Sequence, residues 1–272
     1  MKKVYVITGG SGGMGKAIAR RLGKSGTVLL ADVNEERLKL AAAELAEGGL
    51  TDVAYRTVDI TNENQVSKLA EAAAKLGELG AIVHTAGLSP TMADGRRIME
   101  VNSVGTGLIL KAFLPLAGPG TVAVCISSMS AYMLPRNDAY NGMLANPLAP
   151  EFLDRIAAFT NNASEAAYVF SKLGVILMVE DQAWEWGRKG ARIVSVSPGT
   201  INTPMARQEA SQSEQMKTLL DNTPLGREGE ADEIASAVAF LCGDDASYIT
   251  GTDIRVDGGT IANVQRLARL KL

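Results

Sequence analysis

Residues 3–23 read "KVYVITGGSGGMGKAIARRLG", and this stretch decides the fold. A β-branched, apolar run, "KVYVIT", ends in a cluster of glycines, and "KAIARRLGKSG" then takes up helical spacing with a glycine stop at Gly26. Strand, glycine turn and helix in that order form the first half of a βαβ unit. The same rhythm continues outward. "TVLLAD" is a second strand and is followed by an amphipathic run over 34–47. "VAYRTVDI", "AIVHTAG", "TVAVCISS", "ARIVSVSPG" and "DIRVDGG" supply further short strands. Helical segments at 62–76, 168–188 and 231–242 lie between them. Strands alternating with helices imply right-handed crossovers and one sheet covered on both faces. The expectation is an α/β, Rossmann-type, doubly wound parallel sheet of about seven strands. With no linker or break in composition, residues 1–272 form a single domain.

One segment breaks the alternation. Residues 133–164 contain Pro135, Pro147 and Pro150 and no strand signal. Within them Phe152, Ile156 and Phe159 fall at i, i+4 and i+7, the apolar face of a short helix. An ordered segment of this length inside a compact domain points to function.

Composition excludes several classes. A net charge of -3 and a pI near 5.4 leave no basic stripe for nucleic acid. Cys125 and Cys242 stand far apart, outside any C-x-x-C pair, and read as reduced thiols. His84 is the only histidine, which excludes a multi-histidine metal site. No apolar run is long enough for a signal h-region or a membrane span. The expected location is the cytoplasm.

The glycine loop can be read in three ways. Gly10, Gly12 and Gly15 fit G-x-G-x-x-G, the general dinucleotide fingerprint, and Gly9, Gly13 and Gly15 fit T-G-x-x-x-G-x-G. Gly9 to Gly13 also fit G-x-S-x-G, the nucleophile elbow, with Ser11, Asp59 and His84 as a formal triad. A glycine turn with no ligand is the third reading. Context favours the dinucleotide, because a loop at a helix N-terminus offers backbone N–H groups to a pyrophosphate. Asp32 ends the next strand, where its carboxylate accepts bonds from a ribose and repels a 2′-phosphate. No Lys or Arg stands at Ser11, Gly12, Val33 or Asn34 to receive that phosphate, so the expected cofactor is NAD rather than NADP. The elbow reading leaves more than half the chain without a role.

Two tyrosines compete for the chemistry. "AYVFSK" places Tyr168 and Lys172 at i and i+4 on one helix face. An ammonium there favours the phenolate and lowers a tyrosine pKa from its ordinary value of about 10. Tyr168 is therefore a candidate general acid/base. The near-echo "AYNGML" gives Tyr140 no cation at that spacing, since Met143 and Leu144 occupy it.

Together these motifs resemble the short-chain dehydrogenase/reductase family from Lys3 to about Gly259. The resemblance implies the roles that follow. Gly9, Ser11, Gly13, Met14 and Gly15 belong to the cofactor loop, and Asp32 is the NAD-selecting acid. Asp59 and Ile60 line the adenine pocket, and Ala86 and Gly87 allow close backbone approach. Asn102 of "VNSVG" helps hold a water in a proton relay, and Ser128 polarises the substrate oxygen. Tyr168 and Lys172 form the Y-x-x-x-K pair and also contact the cofactor. Pro198 and Gly199 open "PGTINTP", whose Ile201 and Thr203 bracket the nicotinamide carboxamide.

Two departures from the family pattern stand out. Its N-N-A-G is here "HTAG", so His84, Thr85 or water must brace the strands, and His84 is expected to be structural. Ser128 and Tyr168 are 40 residues apart, whereas the family's shorter spacing matches Tyr140. An insertion over 133–164, acting as a substrate lid or an interface element, reconciles the two. Some carbonyl reductases resembling bacterial 3α-hydroxysteroid dehydrogenases carry an insertion at this place, and "AGLSPT" and "PGTINTPM" look like that NAD-dependent branch.

The implied reaction is reversible hydride transfer between NAD and a secondary alcohol or ketone. The expected substrate is hydrophobic, alicyclic or hydroxysteroid-like, in a pocket built from 88–91, 129–134, part of the 133–164 insertion and 205–220. Met92, Met129, Met133, Met143 and Met205 would give it an adaptable lining. A cofactor-binding regulatory protein and an NAD-dependent epimerase or dehydratase stay open as alternatives. Family habit implies a homo-oligomer, dimer or tetramer, with no nucleic-acid or membrane partner.

Overall fold

A computed structural model describes residues 2–203 and 214–270. Its centre is a seven-stranded sheet in the order β3-β2-β1-β4-β5-β6-β9, with every neighbouring pair parallel. These strands are β1 (Lys3–Thr8), β2 (Thr27–Asp32), β3 (Val53–Thr57), β4 (Glu78–His84), β5 (Val122–Ile126), β6 (Arg192–Pro198) and β9 (Thr252–Val256). The two-residue strands β7 (Ile201–Asn202) and β8 (Gly229–Glu230) pair apart from it.

Alternate residues of the inner strands β2, β1, β4, β5 and β6 feed two cores, which is why those strands read as continuous apolar runs, while the edge strands β3 and β9 are only part-buried. One face packs on α3 (Glu63–Leu76), on α5 (Thr106–Phe113), which follows α4 (Gly95–Met99), and on α8 (Ser164–Arg188). The other packs on α1 (Gly13–Leu22), α2 (Glu35–Glu47) and the helix Ala231–Cys242. The seven parallel strands and the two covered faces match the sequence expectation. Among the described residues no helix is long and apolar enough to cross a membrane, and no cluster of side chains could hold a metal.

Among the boundaries that differ from the expectation, three have a clear local setting. Helix α1 stops at Gly23 instead of Gly26. A Cβ on Gly26 would stand 2.3 Å from the Lys3 carbonyl oxygen, so that glycine serves the approach to β1 and not the helix end. Strand β3 ends at Thr57, because the Asp59 side chain turns the chain by accepting from the backbone N–H and hydroxyl of Thr61. Helix α8 begins at Ser164, four residues before Tyr168.

Residues 133–164 form two short helices, α6 (Asp138–Ala145) and α7 (Phe152–Thr160). Phe152 and Ile156 are buried as their spacing requires, while Phe159 is part-exposed at the rim. With Tyr140, Leu144, Phe170 and Leu173 they build a third core between this hairpin, α4 and α8.

Candidate active site

In this sheet order the chain crosses from β3 to β4 on the far side of β1, so the crevice at the carboxyl ends of β1 and β4 is the topological switch point. The glycine loop leaves β1 there, and "HTAG" leaves β4 beside it. Contact between the two is tight: a Cβ on Gly9, at φ +66°, would stand 2.6 Å from Thr85 Oγ1 and 2.8 Å from the Ala86 nitrogen. On Gly15 it would reach within 2.4 Å of the Gly9 carbonyl oxygen. No side chain caps α1, whose N-cap is Gly12. Its first N–H groups, from Gly13, Met14 and Gly15, thus form an anion cradle of the kind a pyrophosphate fills.

Asp32 ends β2 at the rim of that cradle. Its Oδ2 accepts from the Ser11 hydroxyl at 2.5 Å and the Ser11 backbone at 3.3 Å, and its Oδ1 from Asn34 N at 3.3 Å. Further along, burial opposes ionisation of Asp59, yet the Thr61 bonds and the Arg97 guanidinium hold its carboxyl below the ordinary range. Ile60 is buried against Gly105, where a Cβ would come within 2.8 Å of Ile60 Cδ1. These groups fit a dinucleotide.

The elbow reading fails on geometry. Ser11 is bonded to Asp32, whereas both nitrogens of His84 are engaged elsewhere: Nδ1 with Thr8 Oγ1 at 2.6 Å and Nε2 with Thr106 Oγ1 at 3.0 Å. Burial, with help from the Lys172 charge, pushes the imidazole down to about 3. His84 is a neutral brace joining β1, β4 and α5. Thr85 completes the brace by donating through both its hydroxyl (2.8 Å) and its backbone (3.1 Å) to the Thr8 carbonyl.

Asn102 lies in a π-helical turn, Glu100–Gly105, that joins α4 to α5. Its carboxamide accepts from Leu88 N at 2.7 Å and donates to Leu88 O at 3.0 Å and Ser171 Oγ at 3.1 Å. Its own carbonyl accepts from the Thr106 hydroxyl at 2.6 Å. The asparagine therefore ties the loop after β4 to α8.

On α8, Lys172 is buried and lies beside Tyr168, its Nζ 5.6 Å from the ring centroid. The ammonium donates to the Ile126 carbonyl at 3.2 Å, and a Cβ on Gly87 would stand 3.5 Å from it. Burial lowers Lys172 to about 8, which still leaves it charged at neutral pH. The same burial raises the neighbouring Cys125 thiol to about 12, so that thiol stays neutral. Ser127 fastens β5 to α8 by donating to the Lys172 carbonyl at 2.7 Å. Ser128, next to it, leaves the strand end part-exposed, its Oγ accepting from Ser130 N at 3.2 Å.

Tyr140 has a different setting. It is 7% exposed, and its hydroxyl donates to the Pro135 carbonyl. The ring stands edge-on to Phe170 at 5.0 Å and to Phe159 at 5.6 Å.

At the other side of the crevice, Gly199 donates to Val256 O, and a Cβ there would come within 2.7 Å of Asp257 Cα. Pro198 and Gly199 are thus held against the turn after β9. Ile201 and Thr203 are buried just beyond. Met205 and its neighbours over 204–213 lie outside the described residues. Of the other methionines expected to line a pocket, Met129 is buried, Met92 and Met133 are exposed, and Met143 lines a groove on the hairpin's own surface with Phe152 and Arg155.

Sequence reasoning missed Thr8, Thr106, Ser127 and Ser171, all of which position others. Helical spacing alone could have found two of them, since Ser171 is i+3 from Tyr168 and Thr106 is i+4 from Asn102.

Comparison with known proteins adds independent findings. The family model described as short chain dehydrogenase matches residues 3–142, and that described as Enoyl-(Acyl carrier protein) reductase matches 152–260. The chain is 36% identical to short-chain dehydrogenase/reductase bsc3 of Alternaria brassicicola over 98% of both chains. It is 31% identical to momilactone A synthase of Oryza sativa subsp. japonica, over 94% of this chain and 89% of that one. The crystal structure of levodione reductase, an enzyme known from Leifsonia aquatica, superposes with a TM-score of 0.77 at 28% identity. That superposition covers 96% of this chain and 98% of the other.

Proposed function

The chain belongs to the short-chain dehydrogenase/reductase family, and from that premise we propose that it interconverts a secondary alcohol and a ketone, with Tyr168 as general acid/base and NAD as cofactor. The observation that carries the reading is the buried Lys172 ammonium beside the Tyr168 ring, at the mouth of a crevice with an uncapped helix N-terminus. When bound, the dinucleotide supplies the hydride acceptor or donor at its nicotinamide ring.

Gly9, Ser11, Gly13, Met14 and Gly15 hold the pyrophosphate, and Asp32 the adenosine ribose. Asp59 and Ile60 border the adenine. Ala86, Gly87, Pro198, Gly199, Ile201 and Thr203 flank the nicotinamide end. The Asp32 carboxylate supports NAD over NADP, because a 2′-phosphate would meet a like charge.

In oxidation the Tyr168 phenolate takes the substrate hydroxyl proton, and in reduction the phenol returns it. Lys172 holds that phenolate by charge, and burial among the ends of β5 and α8 keeps its ammonium fixed. Ser128 orients the substrate oxygen. Asn102 connects the lysine end of the site to solvent by way of a water and keeps residues 88–94 in place. The exposed Met92 and Met133 support an apolar substrate, alicyclic or steroid-like, and levodione reductase is by its name a ketone-reducing relative.

Residues 133–164 are read as an insertion into the family pattern. Pro147 and Leu148 press on Gly107 of α5, and Leu144 presses on Gly174 of α8. The family habit implies a dimer or tetramer in the cytoplasm that pairs long helices including α8, and the hairpin adjoins that helix, where it alters the usual interface. Sizing the intact protein against a 137–162 deletion tests that assembly.

The reaction is tested by an absorbance screen of secondary alcohols with NAD and with NADP. The expected result is NADH formation, with kcat/KM for NAD well above that for NADP. Comparable values for the two cofactors would remove the Asp32 argument. Consumption of substrate with no net NADH would replace the redox reading with epimerisation or dehydration.

A further inference from the structure

Residues 88–94, which connect the end of β4 to α4, are sewn at both ends to one stripe of α8. At the start, the Asn102 carboxamide holds both backbone groups of Leu88 and donates onward to Ser171 Oγ. At the finish, Ser164 Oγ donates to the Ala93 carbonyl at 2.9 Å, and Gly95 N donates to the Asn162 carbonyl at 3.1 Å. On α8, Ser164 is i−4 and Ser171 is i+3 from Tyr168, so all three stand along one face. Leu88, Ala93 and Tyr168 pack against the same core.

The far fastening is built closely. A Cβ on Gly95 would stand 2.4 Å from the Asn162 oxygen, backbone against backbone. Asn161 and Asn162 both take positive φ, 50° and 54°, which turns the end of α7 toward Gly95. Ser164 is the first residue of α8, and the N-cap Ala163 makes no side-chain cap. The Ser164 hydroxyl goes to the loop instead. Between the fastenings, Ser89 is buried and donates its N–H toward Met92 Sδ at 3.5 Å, and Met92 is half-exposed.

We infer that Ser164 is a positioning residue for substrate: through the Ala93 carbonyl it sets where residues 88–94 stand beside Tyr168, and so how tightly the site takes a secondary alcohol. The inference rests on the reading of Tyr168 as the proton-transfer group. It gives the hairpin of α6 and α7 a role in selection, since the hairpin's last residues are the loop's second anchor.

The test compares Ser164→Ala and Ser164→Thr with wild type, using cyclohexanol and NAD as probes. Alanine suits a helix, so Ser164→Ala should fold, with a melting temperature only about 2–4 °C below wild type for the lost bond. Loss of one hydrogen bond predicts a KM for cyclohexanol about fivefold higher in Ser164→Ala. The kcat and the Kd for NAD stay within twofold on the same reasoning. Ser164→Thr, which keeps the hydroxyl, restores KM. Among amides that exchange by local opening, those over 88–95 should quicken about fivefold in Ser164→Ala and those remote from the loop should not.

Unchanged exchange over 88–95 overturns the tether. Faster exchange with unchanged KM overturns the positioning role. A wild-type protein that gives no NADH from cyclohexanol or the other alcohols counts against the reaction itself, and the exchange data still decide the tether.

Discussion

Tyr140 and Tyr168 stand in sequence phrases that look alike, and the structure gives them opposite surroundings. The Tyr140 ring is wedged edge-on between Phe159 and Phe170, and its hydroxyl is committed to a backbone carbonyl within its own hairpin. Tyr168 sits on a long helix beside a buried ammonium, next to the crevice where the glycine loop and the loop after β4 meet. A phenol surrounded by apolar rings and spoken for by a carbonyl is a packing element. A phenol beside a charge that burial holds in place can exchange a proton. The difference lies in the neighbours, not in the residue.

The comparison can be tested from its largest consequence downward. Replacing Lys172 by Met should leave Tyr168 as inert as Tyr140, with kcat falling by about 10²- to 10⁴-fold. A loss below tenfold would mean that the ammonium does not distinguish the two tyrosines. The same variant has a stability signature. Burial holds Lys172 near 8 in the folded chain, below its unfolded value, so its cost to folding is full below pH 8 and fades as pH rises toward 10. Lys172→Met should therefore melt above wild type at pH 7, with the gap closing by about pH 10.

His84 belongs to the packing side of the comparison. Its folded value near 3 lies below the unfolded one, so the unfolded chain binds the extra proton between the two and stability falls as pH drops through that window. Between pH 6.5 and 5 the loss should be about 2 kcal/mol, and His84→Asn should remove that slope. A denaturant titration at several pH values measures it. An unchanged acid limb would mean that the imidazole is not held neutral.

The smallest effect is expected at Tyr140. Removing its hydroxyl deletes one hydrogen bond, about 1 kcal/mol of stability, and should leave kcat within twofold.

Most of the sheet was legible because its strands are short apolar runs between glycines, and parallel strands buried on both faces have no other way to read. The placement of Asp32 at the end of β2, of the glycines at the start of α1, and of Lys172 beside Tyr168 was legible because each depends on local spacing. The hairpin was only half legible. The apolar triplet Phe152, Ile156 and Phe159 announced a helix, but what α7 packs against is decided by α4 and α8, far away in the chain. A bracing role for His84 was expected, but its partners Thr8 and Thr106 were hidden for the same reason, since they come from β1 and α5. The end of α1 was misread because Gly26 has a tertiary task, admitting the Lys3 carbonyl, that resembles a helix stop. Sequence spacing reports helical neighbours well, and contacts across the sheet hardly at all.

The account turns on the division between the two tyrosines, and one paired measurement tests it most directly: NADH-linked turnover and NAD binding for Tyr168→Phe and Tyr140→Phe, on the same alcohol and in the same buffer. Tyr168→Phe should lose turnover while its affinity for NAD stays near wild type, and Tyr140→Phe should keep both. Turnover that survives in Tyr168→Phe and vanishes in a folded Tyr140→Phe would contradict the account.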